Sequence, residues 1–144
     1  MLIRKLVNDD LPALAELYTQ FWGEDSSLEM MHATFQRLQS NPNYILLVAE
    51  GSEGNIVGSV MGIICEELYG ACHPFMVIED VIVDATQRRQ GIGSALMRVL
   101  EQHACDRGCG YILFVTEAER TDAHRFYASL GYQLHTHQGF KKHL

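Results

Sequence analysis

A chain of 144 residues, 47% hydrophobic and 20% charged, is long enough to bury a core as one domain, residues 1–144, and is unlike a disordered segment. Its formal net charge of -7 argues against a broad nucleic-acid surface, which needs a basic face, and favours cationic partners. No apolar run is long enough to span a bilayer, and "MLIRKLVNDD" meets a charge at Arg4 without the apolar core of a secretion signal, so the expected location is cytoplasmic. In chain order, "LIRKLV" (2–7) alternates as a strand. "NDDLPALAELYTQFW" follows with a capping residue, Pro12 in the first turn and apolar residues at helical spacing. "SSLEMMHATFQRLQS" carries a second helical stripe through Leu28, Met31, Phe35 and Leu38, with Ser26 and Glu29 in capping-box spacing. "YILLVAE" (44–50), the turn "GSEGN" and "IVGSVMGIICEEL" (56–68) read as an antiparallel hairpin, and "FMVIEDVIV" (75–83) as a further strand. From Ile92, apolar residues recur at three and four as far as Ala104, and Gly108 suits a left-handed cap. "YILFVTE" (111–117) reads as a buried strand, "TDAHRFYASLG" as a helix closed by Gly131, and "YQLHTHQGFKKHL" as a last strand. The order βααβββαβαβ implies a mixed sheet flanked by helices, an α/β (α+β) fold.

The four cysteines, Cys65, Cys72, Cys105 and Cys109, are irregularly spaced and read as free thiols. Paired metal-ligand spacings are missing, so no metal is expected. Two stretches carry chemistry. In "FMVIEDVIV" the adjacent Glu79 and Asp80 sit inside an apolar strand, so at least one must find a partner or a cleft, since burying a lone carboxylate is costly or raises its pKa. A structural ion pair or a strand-end bulge answers the same need. In "QRRQGIG" (87–93), two arginines precede Gly91 and Gly93 where a strand gives way to a long helix, a setting in which backbone N–H groups can meet an anion. The dinucleotide fingerprint fails because Leu96 replaces its third glycine, and the P-loop fails for want of GKS or GKT.

"RRQGIG" (88–93) resembles the R/Q-x-x-G-x-G/A signature of the GNAT superfamily of acyl-CoA-dependent N-acetyltransferases, and "AHRFYASLGY" (123–132) resembles that family's A-x-x-F-Y-x-x-x-G-F/Y motif. With the element order, the likeness covers nearly the whole chain. Locally, "IEDVIVDATQRRQGIG" is similar to polyamine and glucosamine-phosphate acetyltransferases. The chain departs from the family at Arg120, where an Asn usually stands seven residues before the motif tyrosine.

The resemblance implies a GNAT fold with a mixed, mostly antiparallel sheet. It implies acetyl-CoA as co-substrate, its pantetheine arm inserted between strands 75–83 and 111–117. Val81, Ile82 and Val83 would then offer backbone hydrogen bonds to that arm. Arg89, Gln90, Gly91, Ile92, Gly93 and Ser94 would cradle the pyrophosphate, with Arg88 and Arg89 adding charge-assisted contacts. Glu79 is expected to take the proton of the acceptor amine, Asp80 to orient the amine or serve the structure, and Tyr127 to protonate the departing thiolate. Trp22, Glu24 and Asp25 in "FWGEDSS" lie where the family commonly shapes its acceptor site; the residues suit either a cup for a cation or a surface turn with capping residues and one core-edge tryptophan. The expected acceptor is a small primary amine, with no nucleic acid and no membrane as partner and a homodimer left open. Acetylation of a protein lysine or N-terminus, and a non-catalytic acyl-CoA sensor, are the alternatives.

Overall fold

Alternating and continuous apolar runs pair into one five-stranded sheet in the computed structural model, which describes residues 1–144. The strands are β1 (Leu2–Lys5), β2 (Tyr44–Glu50), β3 (Ile56–Cys65), β4 (Phe75–Val83) and β5 (Ile112–Leu113), in the spatial order β1-β2-β3-β4-β5. The first three pairings are antiparallel and the last, β4 with β5, is parallel. The helices are α1 (Leu11–Trp22), α2 (Leu28–Leu38), α3 (Ile92–Asp106) and α4 (Thr121–Ser129). This is the mixed, mostly antiparallel α/β architecture expected. The chain divides into two compact units, Met1–Leu113 and Phe114–Leu144.

The first unit holds the sheet and α1 to α3. On one face, Leu11, Leu14 and Leu17 of α1 and Phe35 of α2 pack with Leu6, Val48, Ile56 and Ile82. Arg4 ties β1 to the start of α1, donating to Asp10 at 2.7 and 2.9 Å and to Glu50 at 2.6 Å. The other face takes α3, which lies close to β3 because two glycines leave room. A Cβ on Gly62 would stand 2.8 Å from Leu100 Cδ2, and one on Gly58 would stand 3.1 Å from Ile92 Cγ2. Leu96, Met97 and Leu100 are fully buried there.

A β-bulge interrupts β4. Met61 pairs with Glu79 and Ser59 with Ile82, so Val60 alone stands opposite both Asp80 and Val81. Asp80 absorbs the extra residue with a left-handed φ of 55°. The bulge resets the alternation. Ile78, paired with Gly62, faces α3, whereas Ile82 joins the cluster under α1 and α2; in an unbroken strand the two would share a face.

Five expectations change in detail. Strand β1 ends at Lys5 rather than Val7. Helix α2 is capped by Ser27, whose hydroxyl accepts from Met30 N at 3.3 Å, so Ser26 and Glu29 do not form the capping box. Strand β3 ends at Cys65 rather than 68, and β5 is confined to Ile112–Leu113 of the expected 111–117. No strand follows α4: residues 133–144 are all exposed, and their few apolar side chains, Leu134, Phe140 and Leu144, bury too little area to order a strand.

In the second unit, Phe114, Tyr127 and Tyr132 form an aromatic cluster with ring centroids 4.5 Å (Phe114–Tyr127) and 4.9 Å (Phe114–Tyr132) apart. Gly131, in the left-handed region at φ 94°, follows the end of α4.

Candidate active site

The turn between β4 and α3 is built by its own side chains. Asp84 accepts from Thr86 N at 2.8 Å and shapes a 3-10 turn at Ala85–Gln87, and Arg88 Nε lies 3.5 Å from the Val83 carbonyl. Arg89 and Gly91 both adopt left-handed φ, 62° and 80°. A non-glycine residue held there marks a locally dictated backbone. Helix α3 starts without a side-chain cap, and its first bond runs from Ala95 N to the Gly91 carbonyl at 2.9 Å. The N–H groups of Ile92, Gly93 and Ser94 therefore have no partner within the helix. A Cβ on Gly91 would meet nothing within 4 Å. Arg88, Arg89 and Gln90 are exposed, Gly93 and Ser94 half-buried, and Ile92 is buried beneath the turn. Unpartnered N–H groups at the positive end of a 15-residue helix, open space above Gly91 and two exposed guanidinium groups suit a diphosphate.

The ladder between β4 and β5 holds two pairs, Met76 with Ile112 and Val77 with Leu113. β4 continues to Val83, and in this unit no strand covers that part of its edge. Val81 and Val83 are half-buried; the Ile82 side chain points into the core, leaving only its backbone for a ligand.

On the α1 side of the bulge, Tyr18, Trp22, Glu24, Asp25, Ser26 and Asp80 line an open cleft of about 330 Å³. The structure thus brings Trp22, Glu24, Asp25 and Asp80 together from two separate stretches of sequence. Trp22 stands edge-on to Tyr18 and to Phe21, with centroids 5.3 and 4.7 Å apart. Thr19 Oγ1, within 3.1 Å of the Ala15 carbonyl, also lies 3.3 Å from the Glu24 carbonyl and 3.4 Å from Asp25 Oδ1, where the chain folds back after Gly23. The two adjacent carboxylates part company at the bulge. Glu79 is exposed; Asp80 is half-buried, and burial, reinforced by the negative charge of Glu79, pushes its carboxyl above the usual range. Burial, with a smaller contribution from Asp80, likewise raises the Tyr18 phenol.

Tyr127 belongs to the second unit. Burial raises its phenol and nearby Arg120 opposes that shift. Its ring packs on Phe114 at 4.5 Å and Phe126 at 5.0 Å. Arg120 caps α4 through its backbone, its carbonyl accepting from His124 N at 3.1 Å.

Sequence reasoning missed Tyr18 and Gln20. Tyr18 is hidden in the apolar stripe of α1, although its four-residue spacing from Trp22 puts both on one helix face. Gln20 is a polar residue on that helix with no local signal, yet its side chain reaches Asp84 and Ala85 N.

The family described as "Acetyltransferase (GNAT) family" matches residues 11–132. Glucosamine 6-phosphate N-acetyltransferase 1 of Oryza sativa subsp. japonica is 30% identical over 106 residues, 72% of this chain but only 62% of the rice protein. Aminoglycoside N(6')-acetyltransferase type 1 of Serratia marcescens is 24% identical over 87% of this chain and 86% of its own. A putative acetyltransferase from Agrobacterium tumefaciens str. C58 superposes with a TM-score of 0.91 at 25% identity, covering 100% of both chains.

Proposed function

Since the chain belongs to the GNAT family and is an acetyltransferase, we propose that it moves an acetyl group from acetyl-CoA to a primary amine of a small molecule, by direct attack within a ternary complex. The family uses acetyl-CoA as co-substrate; when bound, it supplies an activated thioester. Backbone N–H groups at 89–94 and the Arg88 and Arg89 side chains would hold its diphosphate, and the edge of β4 at Val81, Ile82 and Val83 its pantetheine arm.

An alkylammonium of pKa about 10.4 must lose a proton before it attacks, a penalty of roughly 4 to 5 kcal/mol at pH 7. In this reading the Glu79–Asp80 pair takes that proton, Glu79 directly or through water. Asp80 is the better placed of the two to face the amine, because it lines the cleft and its carboxyl is raised toward the working pH. A backbone N–H of the 81–83 segment would donate to the carbonyl oxygen as negative charge grows on it. Tyr127, whose raised phenol keeps its proton, would donate it to the departing sulfur.

The observation that carries the proposal is the bulge, which puts a half-buried carboxylate in a cleft beside the free stretch of β4. Thiol release from acetyl-CoA, followed across a panel of small primary amines and a panel of peptides, tests it. Turnover of small amines is expected. Turnover of peptides alone would point to a protein acetyltransferase, and tight acetyl-CoA binding with no turnover of any acceptor to a sensor.

A further inference from the structure

Helix α4 begins on a residue that costs it stability. Arg120 stands at its N-cap, where Ser, Thr, Asp and Asn serve best, and the Arg120 side chain makes no capping bond. Its charge also sits at the positive end of the helix dipole, the wrong end for a cation. A residue that breaks a local rule on both counts points to a gain elsewhere. That gain lies two turns along the same helix. Arg120 and Tyr127 are seven residues apart, which returns them to one face, and the bond from His124 N to the Arg120 carbonyl at 3.1 Å joins the cap to the helix. Helical side chains lean toward the N-terminus, so the Tyr127 ring leans toward Arg120, and both residues are half-buried. Phe114, Phe126 and Tyr132 flank the ring, with centroids 4.5, 5.0 and 6.3 Å away. Burial there penalises a phenolate and raises the phenol, and the Arg120 charge opposes it. The other titratable groups beside the ring in this unit are Tyr132 and His124, whose imidazole meets the Glu117 carbonyl at 3.0 Å.

A general acid must release its proton as well as hold it. We infer that Arg120 is a positioning residue for the proposed reaction, its guanidinium stabilising the negative charge that grows on the Tyr127 oxygen as the proton passes to the departing sulfur. The inference rests on the acetyltransfer reading above. In that step the C–S bond breaks, the sulfur keeps the electron pair and takes the Tyr127 proton, and the phenolate left behind recovers a proton from water. The effect is one of charge, so lysine can replace arginine and a neutral residue cannot.

Fluorotyrosine incorporated into the intact protein lets each phenol be titrated by fluorine NMR without turnover, and the signal missing from Tyr127→Phe is that of Tyr127. Arg120→Gln should move this titration upward by about one pH unit, and should lower kcat by up to about tenfold where chemistry limits the rate. Arg120→Lys should restore both. In a Tyr127→Phe background, Arg120→Gln should change kcat little further, because the charge acts through the phenol. Arg120→Asn supplies a capping side chain and should melt at least as high as the parent, so turnover lost there is not lost folding. Three results would each overturn the inference and leave the acetyltransfer reading intact: a Tyr127 titration unmoved by Arg120→Gln, a shifted titration with kcat unchanged, or the same loss of kcat with and without the Tyr127 hydroxyl. No thiol release by the parent protein with any small amine would overturn both.

Discussion

Gln20 and Asp84, 64 positions apart in sequence, are joined side chain to side chain: Gln20 Nε2 donates to Asp84 Oδ2 at 3.1 Å while Gln20 Oε1 accepts from Ala85 N at 3.3 Å. The helix that lines the proposed acceptor cleft is thereby clasped to the turn that leads into the proposed diphosphate site. Thr86 and then Gln20 hold the Asp84 carboxyl below its usual range. Gln20→Ala should leave stability within about 1 kcal/mol, because both bonds are solvent-exposed. It should weaken acetyl-CoA binding a few fold by freeing the turn. Calorimetric titration with acetyl-CoA checks this, and unchanged affinity would make the clasp structural only.

Gly91 tests the diphosphate site itself. Gly91→Leu should fold, since the new Cβ collides with nothing, but a left-handed φ of 80° costs an L-residue roughly 1–2 kcal/mol. The free protein should melt only a few degrees lower. The thermal shift given by acetyl-CoA should fall sharply, because a side chain now occupies the space above the helix N-terminus. A full shift in the variant would move the site elsewhere.

Much of this arrangement was legible in the residues. β2 and β4 run as their apolar patterns predict, and α3 starts at Ile92 because Gly91 turns the chain and ends near Gly108 because a left-handed residue stops it. Two adjacent carboxylates in an apolar strand announced a departure from regular pairing. The position of the bulge was not legible, since it depends on the register with β3, where Ser59 and Met61 skip Val60. Period-two reasoning groups Ile82 with Ile78 and so assigns it to the wrong face. Tyr18 reads as core, because a half-buried ring on a helical stripe looks the same whether or not a cleft opens beside it. The C-terminal segment misled in the opposite sense: alternation without enough apolar side chains does not make a strand.

Asp80→Asn should show a trade of function for stability. In the native protein the Asp80 carboxyl is raised by burial and by Glu79, so ionising it costs stability. That cost is absent below the ordinary carboxyl range, grows as pH rises between the ordinary and the raised value, and is fully present above it. Asn tolerates the left-handed φ of 55° nearly as well as Asp. The variant should therefore melt higher than the parent near neutral pH, by a margin that vanishes in acid, while its turnover falls. Melting curves that run parallel across the pH range would remove the ionisation cost from the account.

Glu79 is separable from Asp80 by the same substitution one residue earlier. Its side chain is exposed, so Glu79→Gln should leave stability within about 0.5 kcal/mol. Turnover should fall most near neutral pH if it takes the amine's proton. An unchanged pH-rate profile would leave proton transfer to Asp80 or water.

Tyr127→Phe keeps the ring contacts with Phe114 and Phe126 and removes only the hydroxyl. Stability should change by no more than about 1 kcal/mol. Loss of general-acid catalysis should lower kcat roughly a hundredfold, with acetyl-CoA affinity held within a few fold. Near-parental turnover, measured where chemistry limits the rate, would return Tyr127 to a packing role.

Direct transfer from acetyl-CoA to a bound amine is tested most directly by initial-rate kinetics in which acetyl-CoA is varied at several fixed amine concentrations. Direct transfer gives double-reciprocal lines that intersect, because both substrates must be present before either product leaves. Parallel lines, accompanied by an acetylated protein when acetyl-CoA is supplied alone, would contradict it.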